Sequence, residues 1–378
     1  MKNKLLLLSA LLIAAGWLQA QNAYVQVMGG YSWPGVQKSS TILGFQPYFS
    51  DNLSEIKKVL DPAYAGLVPM SDLIRKGHYD VGGNFVDSFG KEKTIHDSYA
   101  RGGNFTIGVG YKIRPWIAVQ LGLTYVWGAT ISSNQEFDNL ATLGEATKVG
   151  IKTYANGMSL MPSVVLMGAK SAESKYVPYV RLGMTLPVFG STIHDIHIES
   201  PNAVGGSVSV VSDLQVKTES TVSLGFNGAL GFEYRPMPLI GIFAEVNGTM
   251  LQVKAKESTL TKYTIDSKEK STGKSYSANR ITGDGELPTI FGILGADNKP
   301  LTNYSKVIEY VDQVSTSSNG EQFGKKRDAA HSGEAGYVDE SKNHELKRVY
   351  ANFNTIGINI GVNINMSKAI FEGMKKKK

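Results

Sequence analysis

The chain of 378 residues holds 41 glycines and no cysteine, which excludes disulfides, thiolate metal sites and a lipidated N-terminal cysteine. Its formal charge of +6 sits at the ends, in Lys2, Lys4 and the run Lys375 to Lys378. The body is therefore neutral and gives no reason to expect a nucleic-acid partner.

Residues 1–20 read as a secretory signal peptide, with a basic start, an apolar run from Leu5 to Ala15 and a cleavage site after Ala20. No later window holds eighteen uninterrupted apolar residues, which argues against membrane-spanning helices. After the signal, Val25, Val27, Tyr31 and Trp33 share one face of a first strand. Residues 34–101 lack alternation and form a long loop with two short helical candidates, opening at the capping residues Ser54 and Ser71. Alternation resumes in GNFTIGVGYKI, where Phe105, Ile107, Val109, Tyr111 and Ile113 oppose Asn104, Thr106, Gly108, Gly110 and Lys112. A tight turn at Arg114 and Pro115 leads into a third strand carrying Ile117, Val119, Leu121, Leu123, Tyr125 and Trp127 on its greasy face.

Residues 134–150 are a modest loop, and MSLMPSVVLM is a fourth strand whose Pro162 lacks a ladder donor and so belongs at a bulge or a pairing defect. The fifth strand, YVPYVRLGMTLPVF, sets Val180, Leu182, Met184, Leu186 and Val188 against Tyr179, Arg181, Gly183 and Thr185. Residues 190–218 form a second sizeable loop, in which SVSVVSDLQV has the pattern to extend the flanking strand.

The clearest signal is the hairpin from Thr221 to Val253. Val222, Leu224, Phe226, Leu230, Phe232 and Tyr234 fall on one face of its first arm, with Ser223, Gly225, Asn227, Ala229, Gly231 and Glu233 on the other. Its second arm places Ile240, Ile242, Ala244, Val246 and Met250 opposite Gly241, Glu245, Asn247 and Thr249. The polar face is built of small residues that suit a narrow interior rather than a wet exterior, and each arm is long enough to cross a bilayer as a tilted strand. A third large loop, residues 255–348, is polar apart from YSKVIEYVDQV, whose Val307, Val311 and Val314 have helical spacing. The eighth strand alternates Ile356, Ile358, Ile360, Val362 and Ile364 with Gly357, Asn359, Gly361 and Asn363.

The connections alternate long and short along the whole chain, with short turns at 114–116, 168–175 and 235–238. That asymmetry is the habit of outer-membrane barrels, whose turns are periplasmic and whose loops are external. In these eight segments the chain resembles the OmpA-type and OmpX-type eight-stranded barrels. It departs from them in running through Phe371 into a lysine tail rather than ending in a strand with a terminal aromatic, and in carrying no peptidoglycan-binding domain. The resemblance implies insertion by the outer-membrane assembly machinery and leaves the role open.

The expected fold is thus all-β, a transmembrane antiparallel up-and-down barrel over 21–367, followed by a periplasmic lysine-rich tail at 368–378. Four charges interrupt the inward series, and turn counting sets Arg181 level with Glu245 and Lys112 level with Glu233, which predicts structural ion pairs inside the lumen. Tyr31, Trp33, Trp116, Tyr125, Trp127, Tyr234 and Tyr350 lie where strands meet loops or turns and read as interface girdles. His194 and His197 have spacing that would support a metal site, although free histidines are the commoner meaning of such a pair; no metal, cofactor or catalytic group is expected. The favoured role is a surface scaffold for envelope integrity, adhesion or partner binding, in contact with membrane lipid and lipopolysaccharide and with a surface protein or host ligand through the loops. The principal alternative is transport of a small or hydrophobic solute, favoured if segments such as TILGFQPYF or HYDVGGNFVDSF are further wall strands that widen the barrel. A barrel enzyme acting on lipid A or peptides is a third reading.

Overall fold

The computed structural model describes residues 22–35, 40–41, 80–81, 84–86, 92–94, 97–137, 147–169, 171, 174–203, 207–237, 239–287, 306–313, 344–348 and 350–366. The signal segment, the helical candidates at Ser54 and Ser71, and the lysine tail lie outside them. In chain order the strands are β1 (Ala23–Pro34), the short β2 (Ser40–Thr41), β3 (Asp80–Val81), β4 (Asn84–Val86) and β5 (Glu92–Thr94), then β6 (Gly102–Arg114), β7 (Ile117–Gly128), β8 (Ile131–Phe137), β9 (Thr147–Met167) and β10 (Tyr176–Ala203). There follow β11 (Val208–Ser220), β12 (Gly225–Met237), β13 (Ile240–Met250), β14 (Gln252–Glu269), β15 (Ser275–Asn279), β16 (Asp284–Gly285), β17 (Val307–Val311), β18 (His344–Lys347), β19 (Tyr350–Asn352) and β20 (Thr355–Asn365).

Eight of these close on themselves. β1 pairs with β6, β6 with β7, β7 with β9, β9 with β10, β10 with β12, β12 with β13, β13 with β20, and β20 with β1, all antiparallel. Closure leaves no edge in the wall. Most large apolar residues of the wall face outward, so that Leu182, Leu230 and Ile360 are exposed, while Gln26, Thr106, Gln120 and Asn359 are buried inside. The described residues of the segments that would widen the wall do not join it: β2 pairs with β3 and β4 with β5. Pro162 falls where expected by its missing donor, since the β9–β10 ladder skips residues 161 and 162 while β7 still pairs with Pro162.

The structure departs from the sequence reading beyond the wall. The stretch 190–218, read as a loop in which SVSVVSDLQV had strand pattern, is mostly strand, with that segment falling in β11, and the described residues of 255–348, read as a loop, are also largely strand. β10 runs on past the wall to pair with β11 from Ser191 to Ala203, and β11 pairs along its length with β14. β9 likewise continues, within the expected 134–150 loop, to pair with β8. The result is a β-rich extension on one end of the barrel with its own core, built of Tyr99, Ile151, Ile196, Val216, Leu260, Ile265 and Ile308 among others. These strands escape a composition reading because one of their faces is in water, so about half their residues are polar. The expected helix in YSKVIEYVDQV is also corrected: β17 buries Ile308 and Tyr310 and leaves Val307, Glu309 and Val311 half-buried, which is period two rather than helical spacing. The hydroxyl of the buried Tyr310 meets Ser258 Oγ at 3.1 Å, and Ser258 Oγ meets Thr218 Oγ1 at 2.6 Å, so these three buried hydroxyls of the extension are paired with one another.

Candidate functional site

The barrel interior is closed by side chains on the short-turn side. Tyr179, Gly231, Glu245 and Asn359 stand in one cross-strand row over β10, β12, β13 and β20. Gly231 has no side chain, and the Tyr179 ring lies over it so closely that a Cβ there would strike the ring. The tyrosine thereby reaches across one strand and donates its hydroxyl to Glu245 Oε2 at 2.9 Å. Glu245 Oε1 accepts from Arg181 Nη2 at 2.6 Å and from Asn359 Nδ2 at 3.0 Å. Arg181 and Glu245 are 3% and 2% exposed, so the pair is held in a low-dielectric interior, and the carboxylate takes two further bonds from the neutral donors Tyr179 and Asn359.

The same device recurs on the other side of the lumen. Tyr24 lies over Gly110 and donates to Gln120 Oε1 at 3.2 Å, with Gly110 between them in register. Gln120 in turn donates to Gln26. Phe243 covers Gly361 in a third aromatic–glycine pair. Together with Met28, Val165 and Val177 these rings fill the interior, as a barrel of eight strands allows. Gly231→Leu is expected to expel Tyr179, break its bond to Glu245 and destabilise the barrel by about 1–3 kcal/mol; denaturant titration of the purified chain in detergent checks it, with Gly228→Leu on the outward face as the comparison.

The other two charges singled out in the sequence are not brought together. Glu233 Oε2 accepts from Arg235 Nη2 at 2.9 Å on its own strand, and Lys112 Nζ instead donates to Asn365 Oδ1 at 2.6 Å. Arg235 escaped the sequence reading because RPMPL was taken as the turn; the period-two step from Glu233 was the signal that would have found it.

Of the aromatics, Tyr31, Trp33, Tyr125 and Trp127 are exposed where the wall meets the extension, with Tyr31 and Trp33 in edge contact at 5.2 Å. Trp116 and Tyr234 are exposed at the short-turn end, the latter stacked on Tyr176 at 5.3 Å. Tyr350 lies outside the wall in β19, beneath Lys254 Nζ at 5.8 Å.

His194 and His197, the weak metal candidate of the sequence, are not brought together. Three residues apart on a strand, they point to opposite faces: His194 is fully buried against Thr153, with Nδ1 and Oγ1 3.0 Å apart, whereas His197 is exposed and meets Asp213 at 2.7 Å and Glu199 at 3.1 Å. Among the described residues no group of three or more acidic and histidine side chains could hold a metal. Hydrogen bonds to Asp213 and then Glu199 push the His197 imidazole above its usual 6.5. A raised folded value means that this contribution to stability is fully present below the unfolded value and is lost as pH rises through the folded one. An NMR titration of His197 should show a midpoint above 6.5 that falls in Asp213→Asn.

Above the Glu245 row, toward the extension, the lumen opens into a cavity with about 110 Å³ of space for water centres, whose lining sets Arg181, Asn227, Asn247 and Asn359 beside Met28, Met158, Leu251 and Phe353.

The closed antiparallel wall and its inside-out polarity agree with the sequence comparison: the profile of the Outer membrane protein beta-barrel domain matches residues 62–278, more than half of the chain. The chain belongs to the outer-membrane β-barrel family. Among solved structures this barrel is similar to CarO of Acinetobacter baumannii, at 12% identity and a TM-score of 0.25 over 69% of this chain and 92% of that one. It is similar also to CarO2 of the same organism, at 13% identity and a TM-score of 0.25 over the same shares. Likeness at that score carries no argument about the barrel. A comparison with curated protein sequences found no match.

Proposed function

We propose that this outer-membrane barrel is a non-conducting, non-catalytic scaffold whose work is done by the folded extension at the cell surface, as a contact for envelope integrity, adhesion or a partner. In this reading the short turns and both termini face the periplasm, the wall contacts membrane lipid and lipopolysaccharide, and the assembly machinery inserts the chain. The observation that carries it is the interior packed shut around Arg181, Glu245 and Tyr179, combined with an extension that has a core of its own. A filled lumen disfavours a diffusion path, and binding in such scaffolds concentrates on the segments outside the wall.

The test replaces residues 191–219, which removes β11 and the part of β10 beyond the wall, by a two-residue Asn-Gly turn leading into the segment before β12, and compares cells carrying that variant with cells carrying the full chain. The variant is expected to insert as a barrel, shown by protease protection, and to change detergent sensitivity or attachment to protein-coated surfaces while leaving uptake of a small chromogenic β-lactam unchanged. Unchanged surface properties together with altered uptake would overturn the scaffold reading in favour of transport.

A further inference from the structure

We propose that the cavity above the Glu245 row holds the hydrocarbon chain of a membrane lipid, admitted sideways through a seam in the wall between β10 and the β11–β12 junction. The seam is read from the ladders. β10 pairs with β11 from Ser191 opposite Glu219 onward, and with β12 as far as Thr185 opposite Gly225, in one unbroken register. Residues 186–190 therefore stand opposite 220–224, yet none of these described residues is laddered to the other strand. Each side is held from behind instead: Leu186, Pro187, Phe189 and Gly190 pair with β9, while the Thr221 amide donates to the Lys254 carbonyl at 2.9 Å. Pro187 has no N–H to give a ladder. β10 is also loosely tied to β9 here, with a register shift between Pro187 and Phe189 and no β9 partner for Met184 and Thr185.

In a membrane wall such a break costs stability, and this one falls on the cavity, whose lining takes in Pro187, Phe189 and Gly190 from one side of the seam and Ser220 from the other. On the outside, Met184 and Phe226, the last laddered pair but one before the seam, are exposed, as are Val188, Phe189, Val222 and Leu224 of the seam itself. The opening thus leads through the greasy face of the barrel, where the neighbouring molecules are lipid chains. Inside, the surface offered is mostly apolar, with Met158, Leu251 and Phe353 in it. The polar groups around it are engaged elsewhere: Asn227 Nδ2 donates to Met184 O and Thr185 Oγ1, Arg181 and Asn359 donate to Glu245, and Glu219 accepts from Lys217 Nζ at 2.9 Å. The space for water centres, about 110 Å³, is that of several waters at about 10–15 Å³ each, and since a methylene takes about the room of a water, an alkyl segment of roughly eight carbons fills it. Methylenes supply the dispersion contacts that such a lining lacks when water occupies it. The Arg181, Glu245 and Tyr179 network shuts the far end, so the chain enters from the side and goes no further.

The experiment reconstitutes the full chain in phosphatidylcholine vesicles that contain a phosphatidylcholine with a photoreactive diazirine on one acyl chain, and maps the adducts by peptide mass spectrometry after irradiation. Adducts are expected on the cavity residues Met161, Leu251 and Phe353 as well as on the outward Leu182 and Leu230. Thr249→Trp, which fills the cavity from β13, is expected to lower the cavity adducts about tenfold and to leave the outward ones unchanged. Circular dichroism confirms that the variant is a folded barrel, and Asn247→Trp replaces it if it is not. Adducts on the outward residues alone, cavity adducts indifferent to the substitution, or cavity adducts from a free diazirine-bearing fatty acid but not from the phospholipid would each overturn the proposal. The scaffold reading fails separately, through conductance or uptake.

Discussion

Glu245→Leu destabilises the barrel by about 3–5 kcal/mol, read from chemical denaturation of the chain refolded in lipid vesicles. The carboxylate is the shared acceptor of Arg181, Tyr179 and Asn359, so its loss leaves a guanidinium that is 3% exposed without a counter-charge and two neutral donors without an acceptor. The penalty comes from the stranded charge more than from the lost attraction. The double variant Arg181→Leu with Glu245→Leu should therefore recover most of the loss, because replacing both members of a buried pair by apolar groups is close to neutral. A Glu245→Leu penalty under 1 kcal/mol, or a double variant worse than the single, would mean that water reaches the pair and the lumen is not packed shut.

Leu230→Arg places a cation on the outward face near the middle of β12, between Val180 and Val246 in the ladders. If that face is in hydrocarbon the cost is about 2–4 kcal/mol, whereas Val222→Arg, on the segment where the wall gives way to the extension, costs about 0–1 kcal/mol. Both residues are well exposed, at 66% and 78%, and in water neither change would matter. The difference between the two positions in vesicles, and its disappearance in a host that folds the chain without lipid contact, measures the membrane directly.

The wall was legible in the sequence because a barrel strand writes its two environments at period two. Leu230 and Phe232 against Ala229, Gly231 and Glu233 can be read without knowing any neighbour. The depth match of Arg181 and Glu245 was readable for the same reason. The role of Gly231 was not, since an inward glycine announces only that something needs room; that the occupant is the Tyr179 ring follows from register across β10, β12 and β13. Arg235 was hidden by the prolines around it, which suggested that the strand had ended. In the extension SVSVVSDLQV was readable as strand and falls in β11, whereas β14 was hidden by its solvation: it buries Leu260 and Ile265 on one side only, and the lysines and glutamates along it lower the mean hydropathy to that of a loop. The spacing of His194 and His197 left a weak metal candidate open because the segment was read as loop rather than strand. On a strand, residues three apart part company.

The most direct test of the closed, side-chain-filled barrel is the conductance of the purified full chain in a planar lipid bilayer. With eight wall strands and the Tyr179, Glu245 and Arg181 network in place, insertion should produce no stable conductance steps at high salt, while the Gly231→Leu variant, which displaces the Tyr179 ring, should raise the leak. Reproducible, long-lived steps from the unmodified chain would contradict the account and make the lumen a path.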